Sequence, residues 1–196
     1  ELGRIEFLAQ NVKTTDFGDP VSKPDVIKQI NGVPVAIIGQ AFPYTPIANP
    51  RWQTPNWSFG IQEENMQKTV DEARAAGAQV VVVLSHNGMD VDLKMASRVK
   101  GIDAILGGHT HDGVPAPIVV KNPGGQTLVT NGGSNGKFLG VLDFDVTNGK
   151  KNVIAEVDYS SAALTLYEGA IYLVQAAPWQ VEKLDWVGRK AFVSET

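Results

Sequence analysis

Val80-Val81-Val82-Val83-Leu84-Ser85-His86-Asn87-Gly88-Met89-Asp90 and, further on, Gly101-Ile102-Asp103-Ala104-Ile105-Leu106-Gly107-Gly108-His109-Thr110-His111-Asp112 decide how this chain is read. All three of its histidines fall in these two runs. Val80 to Leu84 is apolar at every position rather than alternating, the pattern of a parallel strand covered on both faces. Asp90 to Val99 reads as a helix with Leu93, Ala96 and Val99 or Lys100 flanking one side, stopped by Gly101. Asp103 to Leu106 is a second strand. Strand, helix and strand within about thirty residues make a βαβ unit, whose strands lie parallel, so both carboxyl ends open on one rim. His86 leaves one strand there, and His109 and His111 leave the other.

Working outward, Ile61 to Ala76 is expected to be an amphipathic helix, with Met66, Val70 and Ala73 at helical spacing and Gly77 as a left-handed cap. Ile5 to Ala9 and Gly32 to Gly39 are strand candidates, the second rich in β-branched carbon. Between them and the helix, Ala41 to Pro50 carries three prolines, which predicts an ordered surface loop without helix or interior strand. Thr127 to Asn131 and Phe138 to Val146 are expected to be strands joined by a hairpin turn at Gly132 to Gly136. In the second of them Leu142, Phe144 and Val146 alternate with Asp143 and Asp145. The glycine run lacks the following helix and Lys-Ser/Thr ending of a phosphate cradle.

With 196 residues and 43% hydrophobic content, the chain can bury one sizeable core, or one domain and a small appendage. A net charge of -4 supplies no broad basic field for nonspecific nucleic-acid binding. No run approaches the roughly 18 apolar residues of a membrane helix. Glu1-Leu2-Gly3-Arg4 is neither a signal peptide nor an initiator start, so a truncated front is expected. The absence of cysteine excludes disulfides, thiolate ligands and cysteine nucleophiles, leaving imidazole, carboxylate and amide oxygen for any metal.

A single loop histidine is usually a solvated polar residue, but three directed to one rim form a candidate ligand set. His109 and His111 are two apart, so in an extended segment they share a face while Thr110 points away. Gly107 and Gly108 permit close backbone approach at a strand end, where open α/β sheets bind ligands. His86, His109 and His111 are therefore the candidate metal ligands. Asn87, Asp90 and Asp112 are near enough to orient them, although Asp90, Asp92 and Asp112 also suit ordinary helix starts and turns.

The Ser85-His86-Asn87-Gly88-Met89-Asp90 and Gly107-Gly108-His109-Thr110-His111-Asp112 motifs resemble the dinuclear metallophosphoesterases of the 5'-nucleotidase type. Within that superfamily they are most similar to the SoxB-type sulfate thiohydrolases of thiosulfate oxidation, as are the loop from Phe42 to Pro50 and Gly132 to Phe138. The resemblance covers about residues 1 to 150 and implies an α/β fold, a layered metallophosphoesterase-like sheet core truncated at its N-terminus. It implies that His86 and His109 hold one metal and His111 the other, the pair being manganese. It further implies hydrolysis of a sulfonated cysteine persulfide on a SoxYZ-type carrier protein, in the periplasm. A 5'-nucleotidase-type phosphoesterase is the alternative. The family's upstream Asp-x-His pair, bridging aspartate and Asn-His motif have no counterpart here, so the isolated chain is expected to be inactive.

Composition changes near residue 151. The tail over 151–196 is expected to be a small β-rich segment. Its stretches Ala155 to Ser161, Gly169 to Leu173 and Gln180 to Asp185 resemble an accessory region of some bacterial superfamily 2 helicases. No Walker motif accompanies them. A reading of another class is a non-catalytic binding module, either metal-sequestering or contacting nucleic acid through Trp179, Trp186, Lys183, Arg189 and Lys190; the acidic Glu182 and Asp185 argue against the nucleic-acid contact.

Overall fold

A computed structural model describes residues 3, 5–147, 150–152, 167–174, 177–185 and 190–195. The chain divides into two compact units, 1–135 and 136–196, whereas the change in composition falls near residue 151.

In the first unit the elements follow as β1 (Lys13–Thr14), β2 (Asp25–Ile30), β3 (Val33–Gln40), the helical turn α1 (Thr45–Ala48), β4 (Trp57–Ser58), α2 (Glu63–Ala75), β5 (Val80–Ser85), α3 (Met89–Arg98), β6 (Ala104–Gly107), β7 (Ile118–Asn122) and β8 (Gly125–Asn131). Six strands form one sheet in the order β2-β3-β5-β6-β8-β7. The inner four are parallel, and β2 and β7 close the edges antiparallel. The βαβ unit β5-α3-β6 lies at the centre, as the apolar runs predict.

Side chains in register explain the core. Ile38, Val83, Ile105 and Val129 are neighbours across β3, β5, β6 and β8, and all four are wholly buried. Met66, Val70 and Ala73 from α2 and Met95 and Ala96 from α3 join the same cluster. Each Ile, Val or Met among them contributes about 1.5 to 3 kcal/mol through burial. Val80 to Val83 are buried on both faces of β5, as expected, and the coverage ends at Leu84, which is 48% accessible. Helix α3 buries Ala96 and is followed by the buried Val99, with Leu93 packed partly against the core, as expected; Met89, Asp92 and Met95 are buried beside them.

Helix α2 ends as predicted, with Gly77 at φ +96° and the Ala78 amide donating to the Ala73 carbonyl. Arg74 fastens this end to the sheet. Its guanidinium donates to the carbonyls of Ala78, Gln79 and Gly101 and to Asp103 Oδ2, which also accepts the Val81 amide.

Several local expectations are corrected. Ile5 to Ala9 forms no strand; Leu8 makes one isolated bridge to Lys23, the Ala9 amide donates to the Lys23 carbonyl, and the Gln10 amide donates to the Gly39 carbonyl. The proline-rich loop contains the turn α1, because Pro46 falls in its first turn, where a missing amide hydrogen breaks no helical bond. The glycine run after β8 is not a hairpin, since the antiparallel partner of β8 is β7, which precedes it. Instead Gly132 bridges Gly113, and the Gly133 amide donates to the Asp112 carbonyl at 2.8 Å.

In the second unit, β9 (Asp145–Thr147) pairs with β10 (Lys150–Asn152), and β11 (Ile171–Val174), β12 (Ala177–Asp185) and β13 (Lys190–Glu195) form an antiparallel sheet. The β-rich character of the tail is as expected. Of the strand predicted over Phe138 to Val146 only its end is paired, although Leu142, Phe144 and Val146 are still less exposed than Asp143 and Asp145. Ala155 to Ser161, Trp186 and Arg189 lie outside the described residues.

Candidate functional site

Three neighbouring parallel strands end on one rim, and each delivers a ring to it. β3 is followed by Phe42, β5 by His86 and β6 by His109. The His86 amide donates to the Gln40 carbonyl at 3.0 Å, which prolongs the β3–β5 pairing by one residue and fixes where the imidazole starts. The His86 and His109 rings lie 5.2 Å apart, centroid to centroid, at 66°. Phe42 lies against His109 at 4.1 Å with a tilt of 30° and presents an edge-on contact to His86 at 6.2 Å. Tyr44 meets Phe42 edge-on at 5.8 Å. Phe42 was not singled out by the sequence reading. The signal available was an aromatic just past a buried strand's carboxyl end.

The segment carrying the other two histidines is not extended, contrary to expectation. His109 and His111 sit at φ +76° and +59°, left-handed backbone that residues with a Cβ adopt rarely. Such conformations persist when their surroundings fix them. Thr110, between the two, supplies one clamp: its hydroxyl accepts the Met89 amide at 3.1 Å and donates to Asp112. The bond from Gly133 to the Asp112 carbonyl supplies another.

Burial, followed by the charges of His109 and His111, pushes the His86 pKa below its ordinary 6.5. The imidazole is then neutral near pH 7, the form that binds a metal. His111 is near enough to act on His86 electrostatically, yet no ring contact joins it to either histidine among the described residues. No three His, Asp or Glu side chains are gathered into an ion-holding group among the described residues. The structure thus brings His86 and His109 together and leaves His111 beside them.

Asp112 is hydrogen-bonded through its side chain to Thr110, and neither it nor the exposed Asp90 bonds an imidazole among the described residues. The buried carboxylate is Asp92, wholly inaccessible. Its Oδ1 accepts the Ser85 hydroxyl at 2.6 Å and the Asn87 side-chain amide at 3.1 Å. Asn87 in turn accepts from Gln40 at 2.9 Å, and Gln40 from Gln10 at 2.6 Å. Burial pushes Asp92 up to about 6; the two hydrogen bonds oppose that rise and the Asp90 charge adds to it. The positions of Met89, Asp92 and Ala96, three and four apart, were the signal that would have put Asp92 on the inward face.

No family model matches the chain. The snake venom 5'-nucleotidase of Gloydius brevicauda is 32% identical over 146 residues, 67% of this chain and 24% of that protein. The 5'-nucleotidase of Rattus norvegicus is 28% identical over 180 residues, 83% of this chain and 30% of that protein. Among solved structures, the Thermus thermophilus sulfate thiohydrolase SoxB in complex with glycerol is similar at a TM-score of 0.73 and 37% identity, over 80% of this chain and 28% of that one. The 5'-nucleotidase precursor of Thermus thermophilus gives 0.66 and 33%, over 79% of this chain and 33% of that one. The chain spans about a quarter of the length of the first of these relatives.

Proposed function

Because the chain belongs to the 5'-nucleotidase-like metallophosphoesterase superfamily, we propose that its histidines serve a dinuclear-metal hydrolase of the SoxB type, which frees sulfate from a sulfonated cysteine persulfide on a SoxYZ-type carrier. The observation that carries this reading is the meeting of the His86 and His109 rings at the ends of adjacent parallel strands. The 37% identity with SoxB supports the thiohydrolase reading, and the 33% identity with the 5'-nucleotidase precursor supports its alternative.

The residues present fit part of such a centre. His86, neutral near pH 7, and His109 would hold one cation, His111 would face the second, and manganese is the proposed metal. Two such cations supply Lewis-acid polarisation of the scissile group and activate water near neutral pH. Beside them, Phe42 lies against His109 and edge-on to His86, an apolar neighbour on one side of the exposed imidazoles. Thr110 and Asp112 hold the backbone turn from which His109 and His111 project. In the hydrolysis the water oxygen bonds to the sulfonate sulfur, the sulfur–sulfur bond breaks, and sulfate departs. The electron pair stays with the carrier persulfide, which takes up a proton if it is not left as the anion.

With no cluster of three metal-ligating side chains among the described residues, the chain by itself should bind manganese weakly and turn over negligibly. Two cations without a bridging carboxylate repel each other. A periplasmic site of action belongs to the same reading.

The nucleotidase reading is favoured by the curated relatives, the snake venom and rat enzymes. Using the full-length parent, sulfate release from a sulfonated carrier is compared with phosphate release from AMP. Sulfate release with AMP untouched supports the thiohydrolase; phosphate release with the carrier untouched overturns it in favour of a nucleotidase.

A further inference from the structure

We infer that Asp92 is a positioning residue for His86, acting through Ser85 and Asn87, and that position 107 is glycine because the Asp92 carboxylate occupies the space of a side chain there. The inference rests on the reading of His86 as a ligand and adds the device that aims it.

One carboxylate oxygen gathers both neighbours of His86. Asp92 Oδ1 accepts from the Ser85 hydroxyl and from the Asn87 side chain, and the Ser85 oxygen also accepts the Asn87 backbone amide at 3.1 Å. The turn Ser85-His86-Asn87 is thereby closed on itself and fastened to α3. From the other side, Gln40 ties Asn87 by its side chain and His86 by its carbonyl. The imidazole therefore leaves a backbone held by two elements, while the ring itself makes no hydrogen bond among the described residues.

A wholly buried carboxylate is a costly way to fill core space, since an aliphatic side chain there would carry no desolvation penalty. Asp92 bears this cost with only Oδ1 hydrogen-bonded. Oδ2 has no hydrogen-bond partner among the described residues, nor has the buried Asn131 Nδ2. Both atoms border Gly107. A Cβ built there would stand 2.8 Å from Asp92 Oδ2, 3.1 Å from the Thr130 carbonyl and 3.7 Å from Asn131 Nδ2. The carboxylate that organises the His86 turn thus fills the gap beneath the strand end that leads to His109. Buried polar groups left incompletely satisfied call for an explanation, and holding the ligand turn supplies one.

The test compares the full chain with Asp92→Asn, Asp92→Ala and Ser85→Ala, and with Val70→Ala as a core variant remote from the turn. Two quantities are read: the position of the His86 ring in metal-free crystal structures, and Mn²⁺ affinity by calorimetry. Asp92→Ala is expected to displace the ring and weaken Mn²⁺ about tenfold or more, as loss of a ligand's supporting partner does. Asp92→Asn keeps an oxygen for both bonds, so ring and affinity stay near wild type, within about threefold. Val70→Ala lowers stability without changing affinity. Should Asp92→Ala not fold, Ser85→Ala is expected to shift the ring in its place. An unmoved ring with unchanged affinity in Asp92→Ala, or in Ser85→Ala where that variant stands in, overturns the inference. So does an equal loss of affinity in Val70→Ala. If the wild type binds no Mn²⁺ at all, the metal reading fails while the ring position still decides the role of Asp92.

Discussion

Replacing Asp92 by asparagine should change how the stability of this protein depends on pH. The side chain is wholly buried and its pKa is raised from an ordinary 3.8 to about 6, chiefly by burial. The folded state therefore binds the proton more tightly than the unfolded chain does. The associated stability is fully present below pH 3.8 and is lost as the pH rises through about 6. A rise of about two pH units corresponds to about 3 kcal/mol. Asparagine has the shape of the protonated acid and does not ionise, so Asp92→Asn lacks this dependence. Urea unfolding of both proteins in chelator, from pH 4 to pH 8, measures the difference. Wild type is expected to lose about 2 kcal/mol relative to the variant between about pH 4 and pH 6 and a few tenths more by about pH 7, then run parallel to it. A difference that does not vary with pH, or a wild type that gains on the variant as pH rises, would refute the reasoning.

Gly107→Ala forces a methyl against the Asp92 carboxylate and the Thr130 carbonyl. A loss of about 1 to 3 kcal/mol is expected in thermal melting, and an unchanged midpoint would mean that the strand end is looser than described. Arg74→Ala removes a guanidinium that bonds three carbonyls and the Asp103 carboxylate, and should cost about 2 to 3 kcal/mol in urea unfolding. Arg74→Lys should recover less than half of that, because one ammonium cannot reproduce the fork; full recovery would count against the clamp.

The centre of the fold was legible because one signal dominates there. Val80 to Val83 are apolar without alternation, and a parallel strand buried in mid-sheet has that pattern. Leu84 did not follow it: the last apolar residue of the run is exposed, which a hydropathy pattern does not reveal. The edge strands Asp25–Ile30 and Ile118–Asn122 were missed because each is half exposed and is defined by a partner rather than by its own composition. The glycine run at Gly132 to Gly136 reads locally as a turn, and only the pairing of β8 with β7 and the bonds back to Gly113 and Asp112 give it another role.

At the candidate site, His86 and His109 were legible because strand ends fix their origins to within a residue. The left-handed backbone at His109 and His111 was not, since nothing in a histidine announces a positive φ. The sequence reading named Asn87, Asp90 and Asp112 as supports for the imidazoles. The structure places Asn87 in a hydrogen-bond network with the buried Asp92, a carboxylate distinguished from Asp90 only by the phase of α3, which turns Asp90 to solvent and Asp92 inward.

The claim on which the account depends is that the His86 and His109 imidazoles act together on a cation. Adding Mn²⁺ in substoichiometric amounts to the isotope-labelled protein and following its three histidine side chains by NMR tests this directly. The account predicts that the His86 and His109 ring signals broaden first and together, and that His86→Ala abolishes the effect at His109. Sharp His86 and His109 signals, with broadening confined to surface carboxylates, would contradict it.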